Sequence, residues 1–138
     1  KLGVLPADKE TIKFLNRSLR EVVVSGTGAG AFSSFPVPVS GKTGTAQVFG
    51  RNPNGSAKAA TSWFASYGPT NKPRFAVVMM VSQGGFGSSI SAVGARDIYA
   101  ALYGVSGGKV DPAKEIFPNG VPTKLPKVDP KNAKLVKP

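Results

Sequence analysis

Ser40-Gly41-Lys42-Thr43-Gly44-Thr45-Ala46-Gln47 is the stretch on which the interpretation turns. Gly41-Lys42-Thr43 matches the end of a phosphate-binding loop, G-x-x-x-x-G-K-[ST], but the first glycine of that motif falls on Pro36. A proline there neither permits the turn nor supplies a backbone N–H to a phosphate. The residues after Thr43 are strand-like, so no helix N-terminus faces an anion. The alternative is a Lys-Thr-Gly triplet at the start of a strand. Side chains alternate along a strand, so Lys42 and Gly44 share one orientation and Thr43 and Thr45 the other. A glycine in that row leaves a gap where a ligand can lie along the strand, and the lysine offers a cation to a substrate carboxylate. Three residues alone more often mark an ordinary edge strand with a solvated lysine, so the flanking sequence has to decide.

Downstream, the residues around Thr45-Ala46-Gln47-Val48-Phe49 are short and β-favouring, and Asn52-Pro53-Asn54-Gly55 is a turn cluster. Ser62-Trp63-Phe64-Ala65-Ser66-Tyr67, a turn at Gly68-Pro69-Thr70-Asn71, and the segment Arg74 to Ser82 complete three strands joined as two hairpins. Phe75 to Val81 is apolar on both faces, which predicts a central or near-central strand covered on both sides. After the Gly/Ser loop Gln83 to Ser89, the residues Ile90, Val93, Ile98, Ala101 and Leu102 form one stripe of a helix over about Ser89 to Tyr103.

Upstream, Asp8 is a candidate N-cap, and Ile12, Leu15, Leu19, Val22 and Val23 lie on one face of a helix over about Lys9 to Val24. Gly26-Thr27-Gly28-Ala29-Gly30 resembles a dinucleotide fingerprint only superficially, because it follows a helix and has Ala31 where the last glycine belongs. It is a helix stop. The serines in such loops (Ser25, Ser33, Ser34, Ser88 and Ser89) are turn residues or caps rather than nucleophiles. Phe35-Pro36-Val37-Pro38-Val39 is an extended entry to the next strand. The predicted fold class is α+β, an antiparallel sheet flanked by two helices that can cover one face. Nothing in the chain is left to cover the other.

The wider composition narrows the chemistry. The 138 residues contain no cysteine and no histidine, which excludes thiolate chemistry, Ser-His-Asp triads and His-based zinc sites. Any acid–base work falls to lysine, carboxylates, tyrosine and hydroxyls. The net charge is +11, but no nucleic-acid motif accompanies it. The longest strongly apolar run, Phe75 to Val81, is far shorter than the roughly 20 residues of a membrane span, and the N-terminus lacks a signal pattern. As given, the piece is expected to be soluble. From Val105 onward seven lysines stand against three acidic residues, with half of all the prolines. This composition predicts an extended or disordered tail over 105–138, leaving 1–104 as the folded unit.

The ordered series Gly41 to Gln47, Thr61 to Tyr67, Phe75 to Gly85 and a final helix resembles the C-terminal half of a penicillin-binding protein transpeptidase domain. It is most like the class B, elongation-type enzymes of high-GC Gram-positive bacteria, over residues 5 to 104. The resemblance implies a serine D,D-transpeptidase that crosslinks peptidoglycan stem peptides and is a target of β-lactams. It also implies that Lys42 belongs to the proton network around the serine. Thr43 and Thr45 would bind the substrate carboxylate, Gly44 would keep the strand edge open, and the Thr45 N–H would be half of the oxyanion hole. The family's S-x-x-K nucleophile motif and S-x-N are expected outside these residues. The chain would then be one piece of a longer, membrane-anchored protein acting on the extracellular face. Its expected partners are its own N-terminal portion and a glycan polymerase of the divisome or elongation complex, with no cofactor, metal or nucleic acid. A β-lactamase or D,D-carboxypeptidase of the same fold, or a non-enzymatic basic module binding anionic polymer, are the alternatives.

Overall fold

A computed structural model describes residues 6–120. The first helix, α1 (Lys9–Val24), starts where the sequence sets it: the Asp8 carboxylate accepts the N–H of Thr11 at 2.7 Å, satisfying an otherwise orphaned donor of the first turn. That hydrogen bond holds the Asp8 carboxyl below its ordinary pKa. The helix ends at Ser25, and the N–H groups of Gly26 and Gly28 donate to the carbonyls of Glu21 and Val22. A short second helix, α2 (Ala29–Phe32), comes directly after and inserts Phe32 into the core. Its four residues are too few to leave a periodic signature, which is why the sequence does not announce it.

The sheet has three antiparallel strands in the order β1 (Ser40–Ala46), β2 (Thr61–Gly68), β3 (Phe75–Val81). The helix α3 (Ser91–Leu102) packs with α1 and α2 on one face. Between them lie Val39, Phe64, Phe75, Val77, Ala92, Ala95, Tyr99 and Tyr103, all buried. Phe64 and Tyr99 are fully enclosed, and Phe32 packs against both rings. Hydroxyls inside this core are paired: Tyr99 donates to Ser66 Oγ at 3.1 Å, Ser66 to the Val77 carbonyl at 3.0 Å, and Tyr103 to the Gly68 carbonyl at 2.7 Å. Burial pushes the Tyr103 phenol up to about 12 and raises Tyr99 as well.

Four expectations are corrected. The first strand spans Ser40–Ala46, with the Lys-Thr-Gly triplet near its start as expected, but it stops short of the β-favouring Gln47, Val48 and Phe49, and Phe49 is 89% exposed on the loop beyond. The strand exists where β2 offers partners, from Ser40 opposite Tyr67 to Ala46 opposite Thr61, and β-propensity alone does not extend it. Among the described residues β3 is an edge strand that pairs only with β2, rather than a central one. Phe75 and Val77 are buried by the helices, whereas Val78 and Met80 on the opposite face are exposed.

On α3 the stripe through Ile90 and Ile98 is half-exposed, and the buried face is Ser91, Ala92, Ala95, Tyr99 and Leu102. Small residues let the helix approach the sheet closely, which a count of large aliphatics overlooks. Finally, the chain does not become an extended tail at Val105. Residues Val105–Ser106 (β4) and Lys109–Val110 (β5) form a hairpin, succeeded by a 3-10 turn at Pro112–Lys114. The hairpin and turn return to the core because Glu115 pairs with Arg74 at 3.0 Å and Phe117 packs on the core. The rest of the expected tail lies outside the described residues. No helix among the described residues is long and apolar enough to cross a membrane.

Candidate active site

Strand β1 is an edge strand among the described residues, so one side of its backbone is free to pair with a ligand. The register fixes which side chains share a face. Lys42 lies opposite Ala65 and Gly44 opposite Trp63, while Thr43 lies opposite Phe64 and Thr45 opposite Ser62. Directly opposed residues in a ladder point to the same face. Lys42 and Gly44 therefore belong to the open face that carries Trp63, Val78 and Met80. Thr43 and Thr45 belong to the helix-covered face that carries Phe64. The alternation expected from the sequence is the one observed.

Lys42 is exposed, and its ammonium donates to the carbonyl of Thr43 at 2.8 Å. Among the described residues no carboxylate forms an ion pair with it. The Thr43 hydroxyl lies 2.6 Å from that of Thr27, in the connection between α1 and α2. The Thr45 hydroxyl accepts the N–H of Gly87 at 3.3 Å. Gly87 is seated directly on the backbone of β1 and β2: a Cβ there would collide with Gly44 and with the carbonyl of Trp63.

Buried hydroxyls hold this loop in place. Ser62 Oγ lies 2.6 Å from Ser91 Oγ and 3.2 Å from the Phe86 carbonyl, and it accepts the N–H of Ser91 at 3.2 Å. Beyond Thr45 a cavity of about 350 Å³ opens between the β1–β2 connection and the loop after β3, lined by Gln47, Val48, Phe49, Lys58, Ala60 and Phe86. Thr27, Ser62, Gly87 and Ser91 are thus part of the candidate site's construction, although the sequence reads them only as loop, strand and helix residues. The only local signal was the clustering of Gly84, Gly85 and Gly87, which marks close backbone approach as readily as a turn.

One S-x-x-K string does occur, Ser106-Gly107-Gly108-Lys109, against the expectation that such a motif lies wholly outside the chain. It is the β4–β5 turn. Both glycines have positive φ, Ser106 and Lys109 face each other as an exposed strand pair, and no hydrogen bond joins their side chains. A solvated serine in a two-residue hairpin has neither an activating base nor an oxyanion donor. The string is a turn and not a nucleophile.

Residues 1–100 match the penicillin binding protein transpeptidase domain. The chain belongs to the penicillin-binding protein transpeptidase family. Among curated proteins it is similar to the peptidoglycan D,D-transpeptidase MrdA of Haemophilus influenzae, 35% identical over an 82-residue alignment, with 54% of this chain and 13% of the relative covered. Among solved structures it resembles a peptidoglycan synthase complex that couples polymerization and crosslinking, with TM-score 0.63 and 32% identity, covering 76% of this chain and 18% of the other. Pseudomonas aeruginosa PBP2 in complex with WCK 5153 gives TM-score 0.66 at 24% identity, covering 80% of this chain and 24% of the other, and supports the α+β fold. The chain therefore spans only a small part of the length of these relatives.

Proposed function

We propose that this chain forms the Lys-Thr-Gly side of a class B D,D-transpeptidase that crosslinks peptidoglycan stem peptides and is acylated by β-lactams. The observation that carries this reading is the free edge of β1, with an exposed lysine, a position without a side chain and two hydroxyls in consecutive register, in a chain of the transpeptidase family. A serine supplied by polypeptide outside the chain attacks the carbonyl of the penultimate D-alanine. The C–N bond to the terminal D-alanine breaks, the leaving amine takes a proton, and an acyl-enzyme remains. An amine of a neighbouring stem peptide then attacks that ester, forming the crosslink and restoring the serine.

In this scheme Lys42 raises the positive potential at the serine and takes part in moving its proton. The Thr45 N–H stabilises the developing oxyanion, Thr43 and Thr45 receive the substrate carboxylate, and Gly44 leaves room for the peptide along the edge. The protein works at the extracellular face of the cell membrane beside a glycan polymerase. The similarity to MrdA and to a synthase complex supports that placement. Labelling the intact protein with a fluorescent penicillin is the test: Lys42→Ala should slow acylation on the order of a hundredfold, the loss typical of a transition-state contact. Equal rates in the variant and the wild type would overturn the role of Lys42. Absence of any labelling, with salt-sensitive binding to anionic polymer instead, would favour a basic binding module.

A further inference from the structure

Thr27 makes a contact that the proposed reaction does not use. Its hydroxyl oxygen lies 2.6 Å from that of Thr43, across 16 residues of sequence. The turn that carries it is held at both sides, by the N–H of Gly26 on the Glu21 carbonyl at 2.9 Å and the N–H of Gly28 on the Val22 carbonyl at 2.8 Å. Thr27 is therefore fixed relative to the end of α1, and α1 packs against β1.

The polarity of this contact is set by the number of protons available. A threonine hydroxyl has one hydrogen to give, and an ionised carboxylate only accepts. If Thr43 donates its hydrogen to a substrate carboxylate, it has none left for Thr27, and a contact of 2.6 Å between two hydroxyls is a hydrogen bond only if Thr27 is the donor. We infer that Thr27 is a positioning residue for recognition of the substrate carboxylate: it donates to Thr43, fixes that side chain's rotamer, and leaves the single Thr43 proton for the anion. The inference rests on the proposed carboxylate-binding role of Thr43. Without Thr27 the Thr43 hydroxyl is free to rotate and its proton is shared with water.

The test uses the intact protein and two probes, a β-lactam with its carboxylate free and the methyl ester of the same compound. Thr27→Val keeps the shape and removes the hydrogen, Thr27→Ser restores it, and Lys42→Ala reports on the active-site reading independently. Thr27→Val should lower the second-order acylation rate for the free acid by roughly three- to tenfold, the scale of one neutral hydrogen bond. Thr27→Ser should recover most of the rate, and the ester should be acylated equally by all three Thr27 forms. If the valine variant does not fold, Thr27→Ala takes its place. Unchanged rates for Thr27→Val beside a slow Lys42→Ala would overturn the positioning role and leave the active-site reading standing. Equal slowing with acid and ester would overturn it too, because it would show a general structural effect. A Lys42→Ala variant as fast as wild type would remove the active-site reading, and the inference with it.

Discussion

Gly87 decides how closely the loop after β3 can lie on the Lys-Thr-Gly strand. A methyl group at this position would meet the backbone of Gly44 and the Trp63 carbonyl, which are parts of a hydrogen-bonded ladder and cannot give way as a flexible side chain would. Gly87→Ala should therefore lift the loop, lengthen the Gly87 N–H contact to Thr45 beyond 3.3 Å, and cost about 1–3 kcal/mol as an overpacking defect. Thermal melting and penicillin labelling of the intact protein check this together, since both the melting temperature and the acylation rate should fall. Wild-type values for both would show that the loop does not bear on β1. The alternation of Lys42 and Gly44 against Thr43 and Thr45 was legible in the sequence because strand periodicity is a local property of the backbone. The partners Thr27 and Gly87 were not, because they stand 16 and 42 residues from the hydroxyls they meet.

At the scale of elements, the segment 105–120 shows tertiary contacts overriding composition. A lysine- and proline-rich stretch has little apolar surface with which to order itself, yet Arg74 gives it an anchor. Its guanidinium makes two hydrogen bonds to the Glu115 carboxylate, at 3.2 and 3.0 Å, and lies over the Phe75 and Tyr103 rings. The hydrogen bond from Arg74 holds the Glu115 carboxyl below its ordinary pKa. A carboxyl whose folded pKa is depressed contributes its stabilisation fully above the unfolded value and loses it as pH falls through the folded value. Docking of this segment should therefore weaken below about pH 4. Pepsin cleavage within 105–120 should accelerate over that window in the wild type. Glu115→Gln should be cleaved faster even at its upper end and show a smaller acid step. Identical pH profiles would show that the ion pair does not hold the segment.

For the whole molecule, the decisive feature is a sheet with one finished face. The helices bury Phe64, Phe75 and Val77, while Trp63, Val78 and Met80 on the other face are 39%, 65% and 52% exposed. Contiguous apolar surface beside open strand edges promotes association of sheets. Residues 1–138 produced alone should sediment as aggregates, resist cooperative melting, and form no covalent adduct with penicillin, because Ser106 has no activating partner. Co-production with the N-terminal portion of the protein should restore a soluble, protease-resistant species. Sedimentation, limited proteolysis and mass spectrometry decide the matter: a compact monomer, or a stoichiometric acyl group on this chain, would contradict the expectation.

The sequence by itself determined what local physics controls. The Asp8 cap and the span of α1 come from one carboxylate and a 3.6-residue period, the two hairpins from turn chemistry, and the alternation of side chains along the Lys42 to Thr45 row from the two-residue period of a strand. Only the tertiary structure decided where β1 ends, since pairing with β2 sets it, and which face of α3 is buried, since close approach favours alanines over isoleucines. It also decided that β3 is an edge among the described residues, and that Thr27 and Gly87 reach the Lys-Thr-Gly strand. Each of these depends on contacts between residues far apart in the chain, whose free energy is not encoded in any short window of sequence.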